Sequence, residues 1–385
     1  MRVLICGAGI AGTALAWHLS RQGAEVTVVE KSTGQRSSGN PVDVRGEALQ
    51  IVDAMGGGDR LRAAATRVRR LAAVDARGRL IARIPASAAA GGVDSIEVPR
   101  SSLVDVLLER MPPEVRIVMD ESVAALQQHG DPALGGSGGT VDIEFDSGAT
   151  GTFDAVVGAD GQHSRVRSLV FGPERQFARR LGMFVATVET LDQHLDPEQV
   201  TMLNVPGRSF TLHPSSGRPG GAFIFHSDAA RDADRREWDR SVVADAYADL
   251  GWRVPEFVDR FMAAQDVYFD AVTRIAIDTW SVGRVVLLGD AASSVSLFGD
   301  GSSSAVIGAR RLAEAVAEHP AHLAAAFAAY EARHRPLVMS KQRAVGSVAR
   351  LLVPRTAVGL ASRNLLLRGV SAGTTLRRLV TGRRS

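Results

Sequence analysis

Three stretches combine residue types and spacings that can do chemistry. The first is Gly7-x-Gly9-x-x-Gly12, followed 18 residues later by an acid, Glu30. A glycine in the first position allows a tight turn. In the second it lets the backbone approach a diphosphate, and in the third it lets helix and strand pack closely. The amides opening the next helix are unbonded and sit at the positive end of its dipole, which suits an anion. Glu30 can accept from ribose hydroxyls and repels a 2′-phosphate, so the unit fits FAD or NAD better than NADP. The candidate dinucleotide set is Gly7, Gly9, Ala11, Gly12, Glu30 and Lys31. The other two stretches are Gly158-Ala-Asp160-Gly161 and Gly289-Asp290-Ala-Ala. Each follows a short β-branched run, and strand ends are where open α/β sheets bind ligands.

The surrounding pattern supplies elements to hold these turns. Apolar runs predict strands over 3–6 and 26–29, with a helix over 13–21 between them. A polar loop at 31–40 leads to a helix over 47–55, and Arg36, Asp43 and Arg45 beside it are candidate contacts. Alternation over 68–84 with a turn at Arg77-Gly78 predicts a hairpin. Arg100 stands at the mouth of a helix over 101–110, where Ser101 or Ser102 can cap. A strand over 115–119 follows, then a hairpin of 122–129 and 141–145 with a glycine-rich tip at 135–139. From 171 to 277 no nucleotide motif occurs. Strand patterns over 183–189, 201–205, 210–213, 221–226 and 267–277, with helical patterns over 229–250 and 256–263, read as an inserted, mostly antiparallel sheet. The run 284–288 reads as a central strand apolar on both faces. Helices to about 318 and over 323–338 follow, and 350–380 reads as an amphipathic helix packed on the body.

The fold class is therefore α/β. It comprises a discontinuous Rossmann-like domain for FAD or NAD (1–70, 96–170 and 278–345), an inserted substrate domain (71–95 and 171–277) and a C-terminal helical tail (346–385).

The totals narrow the function classes. The chain has 385 residues, 45 Lys+Arg against 42 Asp+Glu, and only two lysines, Lys31 and Lys341. No dense basic block with interleaved aromatics marks a nucleic-acid surface. Cys6 is the single cysteine, which excludes an intramolecular disulfide and a cysteine metal site; no metal is expected. No uninterrupted apolar stretch of about 20 residues occurs, so stable membrane insertion is not expected. The apolar run at 3–6 opens the fingerprint rather than a cleavable leader, and a cytoplasmic protein, monomer or homodimer, is expected.

In order along the chain, the three turns resemble those of the FAD-dependent monooxygenases of the para-hydroxybenzoate hydroxylase fold, the class A flavoprotein hydroxylases. The short, tetracycline-hydroxylase-like members are the most similar, over roughly 1–345. The resemblance implies FAD on Glu30 through its adenosine ribose. It also implies Arg36, Asp43 and Arg100 as contacts to FAD or the nicotinamide coenzyme, and Asp160 as serving both. Asp290 falls on the ribityl chain, and the helix start Gly299, Gly301 and Ser302 lies beneath the isoalloxazine. It implies NADPH or NADH as reductant, dioxygen adding at the flavin C4a, and transfer of the distal oxygen of that hydroperoxide to an aromatic or polycyclic small molecule. Secondary metabolism or antibiotic modification is the implied setting. Because the flavin is the reagent, no catalytic side chain is assigned. Arg45, His213, Phe225, His226 and Leu297 are candidates for the substrate wall. Ser293 stands where the family often has histidine or tyrosine, and Ser296 and Leu297 where it often has proline. Those departures motivate the alternatives, an FAD oxidoreductase without oxygen insertion or a non-catalytic flavin-binding protein.

Overall fold

The computed structural model describes residues 1–33, 41–89, 94–130, 139–190, 195–214, 220–232, 238–265, 267–294 and 300–381. Arg36, the loop tip at 135–138 and the stretch containing Ser296, Leu297 and Gly299 lie outside these residues.

The fingerprint sits in a six-stranded sheet. Its order is Ser281–Val282, Val285–Leu287, Ala155–Gly158, Arg2–Cys6, Glu25–Glu30 and Arg116–Met119. All pairs are parallel except the first. Parallel strands need a crossover, and helix Ile10–Arg21 supplies it between Arg2–Cys6 and Glu25–Glu30. Val3, Leu4, Ile5 and Cys6 are all buried, as expected of a strand covered on both faces. The strand read as central, Val285–Leu287, is instead second from the edge, shielded by the two-residue strand beside it. A separate three-stranded sheet joins Val123–His129, Thr140–Phe145 and Thr150–Phe153.

The insert forms a seven-stranded sheet in the order Tyr268–Ile275, Ala178–Glu189, Gly220–His226, Arg208–His213, Gln199–Val205, Arg70–Val74 and Leu80–Pro85. It is antiparallel except where Gln199–Val205 meets Arg70–Val74. The early hairpin thus completes a sheet begun far later in the chain. One face carries Phe184, Phe210, Phe223 and Phe225, packed beneath Tyr247, Phe257 and Phe261 of helices Ser241–Tyr247 and Val254–Ala263. Successive strand residues face opposite ways. Phe225 therefore belongs to this aromatic core, 1% exposed, and is removed from the substrate wall, whereas His226 faces the other side.

Other local differences have plain causes. Pro41–Arg45, read as the lead into a helix, is a strand paired with Ser95–Pro99. Neither Ser101 nor Ser102 caps its helix; both lie in the first turn of Arg100–Glu109, and Pro99 is the cap residue. Helix Leu323–Leu352 continues past Pro336 instead of ending at 338. The tail breaks at Val353-Pro354, because proline cannot donate to a continuing helix, and helix Ala357–Thr381 begins with a stretch, Ala357–Ala372, bent 93° from the one before. Among the described residues no single helix is long and apolar enough to cross a membrane.

Candidate functional site

The glycine loop is built around two close approaches. Gly7 has φ +109°, and a Cβ there would lie 2.4 Å from the Ala159 carbonyl oxygen. A Cβ on Gly12 would lie 1.9 Å from the Gly7 oxygen. Gly9 differs: nothing lies within 4 Å of the Cβ it lacks, and the residue lines an open cavity of about 570 Å³. Cys6, Gly7, Glu30, Lys31, Arg100 and Asp160 line the same cavity. The Glu30 carboxylate is fixed in place, accepting from the Ala8 amide (2.9 Å) through one oxygen and the Ser32 amide (3.0 Å) through the other. Ala11 and Gly12 are buried beneath the loop and help to shape it rather than to line the cavity.

The second turn is fastened to the first: the Ala159 amide donates to the Cys6 carbonyl at 2.8 Å. Asp160 Oδ2 accepts from the amides of Arg165 (2.7 Å) and Val166 (3.1 Å), so it steadies the start of helix Arg165–Val170. Its Oδ1 is buried and has no partner among the described residues. Burial raises the Asp160 pKa, against the opposing pull of its hydrogen bonds. A buried acceptor left unpaired costs about 1–3 kcal/mol, and a ligand donor would remove that cost.

Beside Asp160, His163 also lines the cavity and bridges to the substrate sheet. Its Nε2 lies 2.8 Å from Asp270 Oδ2, and its Nδ1 3.0 Å from Glu174 Oε2. Burial disfavours the imidazolium, but the bonds to Asp270 and Glu174 outweigh burial and push its pKa up to about 9. Glu174 also pairs with the fully buried Arg167 (3.3 Å), whose guanidinium donates to the Ala291 carbonyl at 2.9 Å. Ser294 Oγ donates to Gln162 Oε1 at 3.1 Å. The second and third turns are thus bound to each other.

In the third turn Gly289 has φ +63°, and a Cβ there would lie 2.9 Å from Ala11 Cβ, which sets Asp290 against the mouth of the first helix. A Cβ on Gly301 would lie 3.7 Å from Asp290 Oδ1, placing that carboxylate at the start of helix Asp300–Glu318, with Ser302 buried in its first turn. Asp290, Ser293, Gly301, Ser304, His334 and Lys341 enclose a second space of about 20 Å³, and Lys341 Nζ donates to Ser304 Oγ at 2.8 Å.

Asp43 and Arg45 do not line the larger cavity. They pair with each other at 2.6 Å, and Ser303 Oγ binds the Asp43 carbonyl and the Arg45 amide. Asp43 lies opposite Glu97 across the short sheet, and Glu97 accepts from Thr66 (2.7 Å) and meets His213 Nε2 at 2.9 Å. Burial opposes the Glu97 carboxylate, but His213, Thr66 and Arg45 together hold its pKa below the usual value. His226 stands elsewhere, at the break in the tail, where its Nδ1 accepts from Arg355. Sequence reasoning missed Glu97, His163, Glu174 and Asp270. His163 lies two residues beyond the second motif, but its partner Asp270 is 107 residues away.

Comparison with known proteins agrees with this geometry. Residues 1–341 match the family described as FAD binding domain. An uncharacterized protein of Mycobacterium tuberculosis (strain ATCC 25618 / H37Rv) is 37% identical over 323 residues, 81% of this chain and 83% of its own length. A flavin-dependent monooxygenase from an unknown prokaryotic organism is 31% identical, covering 89% of this chain and 87% of its own. Among solved structures, tetracycline destructase Tet(55) superposes with TM-score 0.81 at 27% identity, over 96% of this chain and 95% of that one. Klebsiella pneumoniae HpxO complexed with FAD and uric acid shares the fold, with TM-score 0.74 at 22% identity over 99% and 95%.

Proposed function

The chain belongs to the FAD-binding-domain family of FAD-dependent monooxygenases, and within it we propose a hydroxylase that takes reducing equivalents from NADPH or NADH and acts on an aromatic or polycyclic small molecule. The observation that carries the reading is the meeting of three glycine-and-acid turns at one end of one parallel sheet. Gly7 packs on Ala159 and Gly289 packs on Ala11, so the turns share a single cradle. The residues present fit FAD. Gly9 leaves its Cβ position open toward the cavity, and Asp160 Oδ1 is a buried acceptor in need of a donor.

In this proposal Glu30, held by the Ala8 and Ser32 amides, accepts from the adenosine ribose. The unbonded amides opening helix Ile10–Arg21 face the diphosphate. Lys31 and Arg100 add positive charge along the same cavity. Asp290 takes the ribityl hydroxyls, and the amides opening helix Asp300–Glu318 face the ring edge where negative charge gathers. Bound FAD supplies two-electron redox chemistry and the activation of dioxygen. The chain orients the substrate and keeps water out. The wall proposed for this is the sheet face bearing His213, with Asp43, Arg45 and Glu97 as its polar edge. Tet(55) and its relatives make tetracyclines the first compounds to test, followed by phenols and other polyketides.

The purified protein should be yellow, and the right substrate should accelerate NADPH or NADH consumption and gain one oxygen atom from labelled dioxygen. Protein that stays colourless after incubation with FAD would overturn the cofactor site. A product without the label would overturn hydroxylation alone.

A further inference from the structure

The last helix carries apolar residues on its outward face as well as its inward one. At 100° per residue, one face of Ala357–Thr381 carries Val358, Ala361, Leu365 and Leu366, and the opposite face carries Leu360, Arg363, Asn364 and Leu367. The inward face half-buries Leu360 and Leu367, as an ordinary surface helix does. Here Arg363 is the buried residue, 6% exposed, with Nη1 donating to Asn204 Oδ1 at 2.6 Å. Val358, Leu365 and Leu366 are 77%, 70% and 66% exposed, and Val370 follows at 44%. The buried Arg363–Asn204 contact fixes the rotation of the helix, so the apolar stripe cannot roll inward without breaking it.

Charge identifies what the stripe faces. After Glu331 the chain has no Asp or Glu, while residues 332–385 hold 12 Lys and Arg. The preceding residues hold 33 Lys and Arg against 42 Asp and Glu, a net of −9. The whole-chain value of +3 hides this division. Arg368 is exposed and stands one helical turn from Leu365, so it borders the stripe on its own surface. Arg343 and Arg350 are exposed on the helix before the break. A second copy of this chain seated on the same face would bring cation against cation. An apolar stripe edged with arginine and lacking carboxylates is the pattern of a helix lying in the plane of an anionic bilayer.

We propose that the outer face of helix Ala357–Thr381 docks the protein peripherally on an anionic lipid surface, with Val358, Leu365 and Leu366 entering the headgroup boundary and Arg368 facing the phosphates. The helix lies on the surface rather than crossing it. Flotation of the full chain with phosphatidylglycerol/phosphatidylcholine vesicles tests this, with pure phosphatidylcholine vesicles as the second arm. Binding should require the anionic lipid and fall with added salt. Leu365→Glu with Leu366→Glu should cut the partition coefficient at least tenfold. Arg368→Gln should cut it about fivefold, the worth of one cation at such a surface. FAD absorbance reports that each variant is folded, since these side chains point to solvent. Equal binding to neutral vesicles would overturn the assignment to anionic lipid. No vesicle binding, whether the chain is monomeric or forms a dimer that the leucine variant dissociates, would overturn the proposal entirely.

Discussion

Replacing His163 with Gln should change how stability depends on pH, and the size of the change follows from the bridge it makes. In the folded chain the imidazolium lies between Asp270, 2.8 Å away, and Glu174, 3.0 Å away, and its pKa is pushed up from 6.5 to about 9. A group whose pKa is higher in the folded state binds its proton more tightly there. Its contribution is therefore complete below pH 6.5 and fades as pH rises through 9. A rise of this size corresponds to about 3 kcal/mol at 1.36 kcal/mol per unit, an upper value because the side chain keeps 30% exposure. With an unfolding entropy of roughly 2.1 cal/mol/K per residue, the chain should lose about 4 °C of melting temperature for that amount. His163→Gln removes the cation and leaves Asp270, 3% exposed, without it. Thermal unfolding of both proteins with FAD bound, from pH 6 to 10, should show the wild type ahead by several degrees at pH 6.5 and the gap closing above pH 9. A gap that stays constant across this range, or no gap at pH 6.5, would refute the argument.

The glycine loop and the aromatic layer give two further tests. Gly9→Ala should leave the apoprotein as stable as wild type, because nothing lies within 4 Å of the new methyl, yet weaken FAD binding by at least tenfold in a fluorescence titration. Gly12→Ala should do the reverse of what helix propensity suggests. Alanine ordinarily gains about 1 kcal/mol over glycine in a helix, but a Cβ 1.9 Å from the Gly7 oxygen forces the backbone apart, and denaturant unfolding should show a net loss of about 1–3 kcal/mol. Phe225→Ala should cost about 3–5 kcal/mol and leave KM for a substrate unchanged, since the ring packs on Phe184 and Tyr247 in the core; a rise in KM at unchanged stability would restore it to the substrate wall.

What the sequence revealed and what it hid divide along distance in the chain. The nucleotide fingerprint is legible because all its chemistry is local: strand, turn, helix, strand and acid fall within 30 residues, and the glycine spacing is meaningful only in that arrangement. The acid-bearing turns after Ala155–Gly158 and Val285–Leu287 are legible for the same reason. Strand Pro41–Arg45 was hidden because its alternation of Val42 and Val44 is only five residues long and opens on proline, and its partner lies some fifty positions on. The placing of Phe225 and His226 in one wall was a parity error, since neighbours on a strand cannot share a face. Glu97–His213 and His163–Asp270 could not be seen at all, because each joins segments more than 100 residues apart.

These distant pairs are what turn a nucleotide-binding sheet into a two-walled site. Gly7 and Gly12 fix the floor by close backbone approach, which recurs wherever the fingerprint does, and Gly289 fixes it by its approach to the Ala11 methyl. The insert has to be held over that floor at one angle, and short polar bridges hold it there. His163 ties the second turn to strand Tyr268–Ile275, Ser303 and Arg45 tie helix Asp300–Glu318 to the small sheet, and Glu97 ties that sheet to His213. The His163 and Glu97 bridges include charged partners that are at least half buried, so breaking either leaves a carboxylate uncompensated. Losing a bridge in this way costs more than losing a contact between surface groups. Substitutions at these bridges should therefore disturb the geometry between the two walls before they disturb FAD affinity, whereas substitutions in the glycine loop should act in the opposite order.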